Sequence, residues 1–253
     1  MEKPQWSEIL KDAVTRPGSM NAAFRAFHNY SVGNMLLAMM QCTMRDIPIG
    51  PIATYRAWSA LGRQVRRGEK AISLWMPLTF TKTDDSGEEH TRHSFMLKNQ
   101  WFVLAQTDGE PIESVVIPLW NEKLAAQNLG LIEVPFALVD GNTLGYAMPA
   151  LKEYAVNPVA PDRLATVLHE MGHSILHTEK ERIVDDKELD RGQKEMEAEC
   201  VALLCLSFLG YNTDQQRGYI QHWYKTGSID DKNANRIINA ANKILKAGEP
   251  KAQ

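Results

Sequence analysis

Pro161-Asp162-Arg163-Leu164-Ala165-Thr166-Val167-Leu168-His169-Glu170-Met171-Gly172-His173-Ser174-Ile175-Leu176-His177 is the stretch on which the reading of the second half turns. Leu164, Val167, Leu168, Met171 and Ile175 recur at helical spacing, so its H-E-x-x-H motif sits on an amphipathic helix. A helix turns ~100° per residue, which puts His169 and His173 on one face, a turn apart. Both imidazoles can then reach one zinc ion (Zn²⁺) at ~2.0–2.1 Å. Glu170 stands beside that face, where it can take a proton from water at the metal and pass it to a leaving amine. Such a motif arises by chance in about 1% of chains this long, given ordinary residue usage. Alone, it leaves a helix with two hydrogen-bonded histidines equally open.

The next helical block tips the balance. Lys194 to Leu209 is apolar on nearly every face after Glu199, which is the pattern of a buried helix. Glu195 and Glu199 are one turn apart on a single face, and a buried carboxylate is costly unless it is paired or bound to a metal. Glu195 is expected as the third ligand because it lies nearer the exposed helix start. Glu199 is expected to accept the other N–H of a ligating histidine. Spacing leaves the two roles interchangeable. Glu197 points roughly opposite and reads as solvated. His177, two turns past His169, reads as a helix-end histidine favoured by the C-terminal dipole. Three protein ligands and one open position describe a catalytic site. Gly172 predicts close packing of the two helices.

Working outward, the rest of this half reads as a helix, 121–129, then two strand-like pieces, 134–139 and 143–148, joined as a hairpin at Asp140-Gly141-Asn142. Four helical blocks follow: 161–178, 194–209, 213–226 and 229–247. The first half opens with a helix over 6–14 and a second from Met20 to about Met44, kinked at Gly33, with Phe24, Phe27 and Tyr30 as a core stripe. Strands are expected at 71–77, 78–82 and 91–106, with a polar hairpin over 84–89. These elements predict an α+β chain of two domains, 1–115 and 121–253. The first is a small sheet-and-helix domain, and the second is mostly helical with a short strand layer over its cleft.

Between the two early helices and the strands, Arg63, Arg66, Arg67 and Lys70 fall in a segment bracketed by Gly62 and Gly68 and flanked by Tyr55, Trp58 and Trp75. Single-strand binders combine a positive groove with aromatic faces, each stacked base contributing ~1–3 kcal/mol. The competing reading puts the tryptophans in the core and the charges on an ordinary surface loop.

Composition excludes little beyond the extremes. The chain is 44% hydrophobic and 23% charged, with a net charge of -3. Residues 1–120 carry 13 Lys+Arg against 12 Asp+Glu, and the remainder 15 against 19, so a nucleic-acid site must be a local patch. Met35 to Met40, the longest apolar run, is far short of the ~20 residues that span a bilayer. The first residues have no apolar stretch of the signal-peptide kind. Cys42, Cys200 and Cys205 form no C-x-x-C pair and read as buried thiols of a cytoplasmic protein.

Leu168-His169-Glu170-Met171-Gly172-His173, with Glu195-x-x-Ala198-Glu199-x-x-Ala202 downstream, resembles the zincin metallopeptidase domain of ArdC-type antirestriction proteins. The ImmA/IrrE-like peptidases share its general pattern. Phe27-His28-Asn29-Tyr30-Ser31-Val32-Gly33-Asn34-Met35-Leu36-Leu37, the stretch Tyr55 to Ile72, and Trp101 to Gly109 resemble the N-terminal single-stranded-DNA-binding domain of the same ArdC-type proteins. The resemblance covers most of the chain in the family's order. It implies a plasmid- or phage-associated protein that coats single-stranded DNA against restriction. Its site would be gluzincin-like, and residues 178–193 carry no family landmark that points to a protein substrate. Two alternatives stay open: a regulatory peptidase of the ImmA/IrrE kind that cuts a repressor, and a DNA-binding module with structural zinc.

Overall fold

Trp6–Thr15 forms the first helix, α1, with Ile9, Leu10, Ala13 and Val14 buried along one face. The structure, a computed structural model, describes residues 5–15, 20, 26–27, 29–83, 89–112, 119–137, 143–178 and 191–250. Phe24 and the hairpin tip 84–88 lie outside the described residues. The predicted long helix from Met20 is corrected: a separate helix, α2, begins at Val32 and runs Val32–Met44. Its N-cap is Ser31, whose hydroxyl accepts from the Asn34 N–H at 3.3 Å. Gly33 is therefore no kink. It makes room for Trp6, whose Cη2 would lie 3.2 Å from a Cβ there.

Ile52–Thr54 (β1), the short helix Tyr55–Ala60 (α3) and Arg63–Val65 (β2) lead into a long antiparallel hairpin, Ile72–Thr83 (β3) and Glu89–Val103 (β4). The sheet order is β1-β4-β3, and β2 pairs separately with Thr107–Gly109 (β5). The two strands predicted on either side of Pro77 are one, because β3 is an edge strand where a missing N–H donor is tolerated. Two side-chain amides of α2 cover that edge. Asn34 donates to Trp75 O at 2.9 Å and accepts from Trp75 N at 2.8 Å. Gln41 does the same with Ser73, at 2.9 and 3.0 Å. Each amide copies a peptide unit, so the helix completes the ladder that a further strand would otherwise seek.

Glu122–Leu129 (α4) precedes a three-stranded sheet of Ile132–Glu133 (β6), Gly145–Met148 (β7) and Glu153–Val156 (β8) in the order β6-β8-β7. Here the predicted hairpin is corrected. Residues 134–137 are not strand, in keeping with Pro135 lacking an N–H, and β7 pairs antiparallel with β8, a pairing the sequence reading does not contain. Asp140-Gly141-Asn142 lies outside the described residues. Four helices follow as expected: Arg163–Leu176 (α5), Arg191–Leu209 (α6), Asp214–Trp223 (α7) and Asp231–Ala247 (α8).

α8 is the common neighbour of both halves, packing against α6, α1, α4, α2 and α5. Its high amphipathicity fits that place, with Ala234, Ile237, Ile238, Ala241, Ile244 and Leu245 all buried. Polar contacts pin the same joint: Ser7 N–H donates to Asp231 Oδ1 at 3.1 Å, and Val32 N–H to Asn242 Oδ1 at 3.0 Å. One hydrophobic core thus runs through helices on both sides of residues 115–121. The fold is α+β. All three cysteines are buried and free. Among the described residues no helix is long and apolar enough to cross a membrane.

Candidate functional site

Asp162 starts α5 by accepting from the Ala165 N–H at 2.9 Å, and this sets the register in which His169 and His173 share a face. Among helices, α5 packs most extensively on α6. Gly172 permits the approach, since a Cβ there would lie 3.3 Å from Ala198 Cα. Short side chains can meet only because the backbones come this close.

They meet as three donors. His169 Nε2 lies 3.0 Å from His173 Nε2 and 3.2 Å from Glu195 Oε2, and His173 Nε2 lies 3.4 Å from the same oxygen. Bonds of ~2.0–2.1 Å to a common ion place tetrahedral donors about 3.3 Å apart, so the spacing fits a divalent metal. His169, His173 and Glu195 are the one group of this kind among the described residues. Glu199 is not in it. Its Oε2 lies 2.9 Å from His169 Nδ1, on the far side of the ring, where it accepts that nitrogen's proton.

The electrostatics follow from this crowding. Burial alone would lower the His169 pKa, but hydrogen bonds to Glu195 and Glu199 outweigh it and raise the value to about 10. The same two histidines hold the Glu195 carboxyl far below the usual carboxylate range. Burial lowers the His173 pKa. Glu170, itself buried, is pushed up to about 7 by burial and then by the negative charge of Glu195. A carboxylate tuned near neutrality can take up and give back a proton at ordinary pH.

Glu170 is also held from above. β7 passes over it at Gly145, where a Cβ would stand 2.8 Å from Glu170 Oε1, 2.8 Å from Thr166 Cγ2 and 3.0 Å from the Ala155 carbonyl oxygen. Residues of β7, α5 and the start of α6 line a cleft of about 1250 Å³ that opens onto His169, Glu170, His173 and Glu195.

One sequence expectation is overturned here, and one is extended. Glu197 is not solvated but 1% exposed. His177, the C-cap of α5, places Nε2 3.2 Å from Glu197 Oε2 and Nδ1 2.9 Å from His173 Nδ1. The third histidine of H-x3-H-x3-H is legible as a spacing. Reading it only as a helix-end histidine hides its contact with His173. Gly145 has no sequence signal. Neither has Tyr219 on α7, whose pKa is raised by burial and then by the charges of Glu195 and Glu199.

The basic segment is only partly assembled as expected. Trp58 is corrected to core: it is 1% exposed, and its Nε1–H donates to Phe102 O at 2.8 Å, so no face is left for a base. Trp75 packs on the core with its ring centroid 6.5 Å from that of Trp6. Arg63 commits its guanidinium to Thr107 Oγ1 (2.9 Å), Thr107 O (3.1 Å), Gly109 O (2.8 Å) and Glu110 O, clamping β2 to β5. Arg66 pairs with Glu69 at 2.8 Å and Asp108 at 3.5 Å. Tyr55 is 47% exposed. Arg67 and Lys70 are exposed too, and their side chains meet no partner among the described residues. Arg56, which the sequence reading does not single out, is exposed beside Tyr55.

With this geometry in hand, comparison with known proteins is specific. Residues 3–103 match the family described as the N-terminal domain of anti-restriction factor ArdC. Among solved structures, the chain is similar to the metal-free crystal structure of the antirestriction ArdC protein from the R388 plasmid, with a TM-score of 0.57 and 20% identity over 96% of this chain and 94% of that one. It is likewise similar to the Mn(II)-bound structure of that protein, with a TM-score of 0.56 and 18% identity over 99% of this chain and 100% of that one. No curated protein sequence matches the chain. Residues 3–103 thus match an ArdC N-terminal domain, and the chain shares the fold of the R388 ArdC protein along nearly its whole length.

Proposed function

We propose that this chain is an antirestriction-type protein that binds single-stranded DNA through residues 1–115 and carries a zinc-dependent peptidase site in residues 121–253. The observation that carries the reading is the convergence of His169, His173 and Glu195 beside a buried Glu170 whose pKa lies near neutrality. Two imidazoles and a carboxylate suit zinc and other first-row divalent ions. The R388 ArdC protein has a Mn(II)-bound form, so Mn²⁺ is the second ion to test.

A divalent ion held by these three residues would supply Lewis-acid polarisation of a carbonyl and make water easier to deprotonate. Glu170, beside that face, would accept that proton and return it to the leaving amine. Glu199 keeps His169 turned with Nε2 toward the donor cluster. A protein substrate fits the cleft's wall: among the described residues β7 pairs on one side only, with β8, and an extended peptide can add along such a strand edge. On the other half, Tyr55 offers a stacking face and Arg56, Arg67 and Lys70 offer charges for phosphates. Buried free thiols suit a reducing cytoplasm.

The test runs wild type and His169→Ala in parallel for bound metal and for affinity to labelled single-stranded DNA. Loss of the ion with unchanged DNA affinity is expected. An ion retained by His169→Ala would refute the ligand assignment, and binding without salt dependence would refute the DNA reading.

A further inference from the structure

His177 and Glu197 belong to neither the donor cluster nor the proton-transfer step, yet their side chains are 7% and 1% exposed and aligned behind a ligand. One ordering of protons that satisfies their hydrogen bonds starts from the carboxylate and runs outward. The Glu197 carboxylate can only accept, so His177 carries its proton on Nε2, 3.2 Å away. A neutral imidazole protonated there has a bare Nδ1, an acceptor. Two Nδ1 atoms 2.9 Å apart need one proton between them, which in this ordering sits on His173. Its Nε2 is left as a lone pair facing His169 and Glu195.

We infer that Glu197 and His177 form a two-member relay of positioning residues that fixes the tautomer and ring orientation of His173 for a divalent ion. This rests on the metal reading above. The two ligating histidines are served unequally: His169 by a carboxylate directly, through Glu199, and His173 through an intervening imidazole. The longer arm is needed because His173 lies one turn further along α5, where His177 occupies the space that a carboxylate fills behind His169. Glu197 reaches that second imidazole because it leaves α6 two residues from Glu195, on a different face.

A purely structural pair, with His177 present only to satisfy a buried carboxylate, makes a different prediction. The experiment measures Zn²⁺ and Co²⁺ affinity by chelator competition, the visible spectrum of the Co²⁺ form, and melting of the metal-free protein in EDTA. It compares wild type, His177→Phe, His177→Gln and Glu197→Gln. Loss of the acceptor in His177→Phe is expected to weaken ion binding about 10–100-fold and to alter the Co²⁺ spectrum. His177→Gln, whose amide can accept from His173 and donate to Glu197, is expected to recover most of the affinity. Should His177→Phe fail to fold, His177→Gln and Glu197→Gln carry the test, with Glu197→Gln weaker than wild type and His177→Gln close to it. Variants that melt earlier in EDTA but bind both ions like wild type, with an unchanged spectrum, overturn the relay. A wild type that binds neither ion overturns the metal reading itself.

Discussion

The donor cluster and the basic segment are both legible as runs of reactive residue types, yet the fold treats them in opposite ways. At the cluster, polar side chains from α5 and α6 turn toward one another, and each finds a partner that leaves a donor atom free at the centre. In the basic segment, Trp58 and Arg63 are consumed by the scaffold, one filling the core and the other clamping β2 to β5. Helical periodicity fixes which residues share a face, whatever the helix later packs on. An arginine in a short strand or turn has no such constraint. Its partner is whichever carbonyl the tertiary fold brings within reach, and for Arg63 those carbonyls come from a strand far along the chain.

The contrast can be broken most sharply at Glu170. Glu170→Gln is expected to keep the bound ion and to lower peptidase turnover by roughly 10²–10⁴-fold, read by metal analysis and steady-state rates on a protein substrate. On the other side, Trp58→Ala should cost about 3–5 kcal/mol in urea denaturation because it empties a core position. Tyr55→Ala should change stability by no more than about 0.5 kcal/mol, and weaken single-strand binding by ~1–3 kcal/mol. Equal stability losses for the two would erase the distinction drawn between them.

The pH response comes next. An ion must displace the proton that His169 holds up to about pH 10, so apparent ion affinity should rise about tenfold per pH unit from neutrality toward that value. In the metal-free protein the sign is reversed. The His169 pKa is higher folded than unfolded, so its stabilisation is complete below about pH 6.5 and lost as pH rises through about 10. A metal affinity flat with pH would show that His169 is not a ligand. Smaller still, Gly145→Ala should cost about 1–3 kcal/mol, because its Cβ must displace Thr166 or the Ala155 backbone, and should shift the pH profile set by Glu170. Least of all, Arg67→Ala and Lys70→Ala should each reduce the slope of log affinity against log salt by about 0.7, whereas Arg63→Ala should act mainly on stability.

How far the sequence reaches depends on how local the cause is. The four C-terminal helices, the ligand face of α5 and the buried face of α6 all follow from patterns within a single helix. Gly172 is legible because a glycine inside a helix costs ~1 kcal/mol relative to alanine, and a close helix crossing is what offsets that cost. The β7–β8 pairing is hidden because Tyr154-Ala155-Val156 is too short to show alternation. The helix from Met20 is overdrawn because Ser31 fits a helical run by spacing, whereas its hydroxyl caps a new one. Glu197 is misplaced because the pattern of α6 suggests a solvated side, and in the structure that side is the one that meets His177.

The docking of α1 has a consequence for how the chain is made. Its neighbours include α7 and α8, and Ser7 hydrogen-bonds a residue 224 positions later. During synthesis α1 therefore leaves the ribosome with its apolar face only partly matched until α7 and α8 emerge, ~10–45 s later at ordinary elongation rates. A messenger truncated before α7 would yield a polypeptide with an orphaned hydrophobic stripe on α1, a natural target for chaperones and proteases.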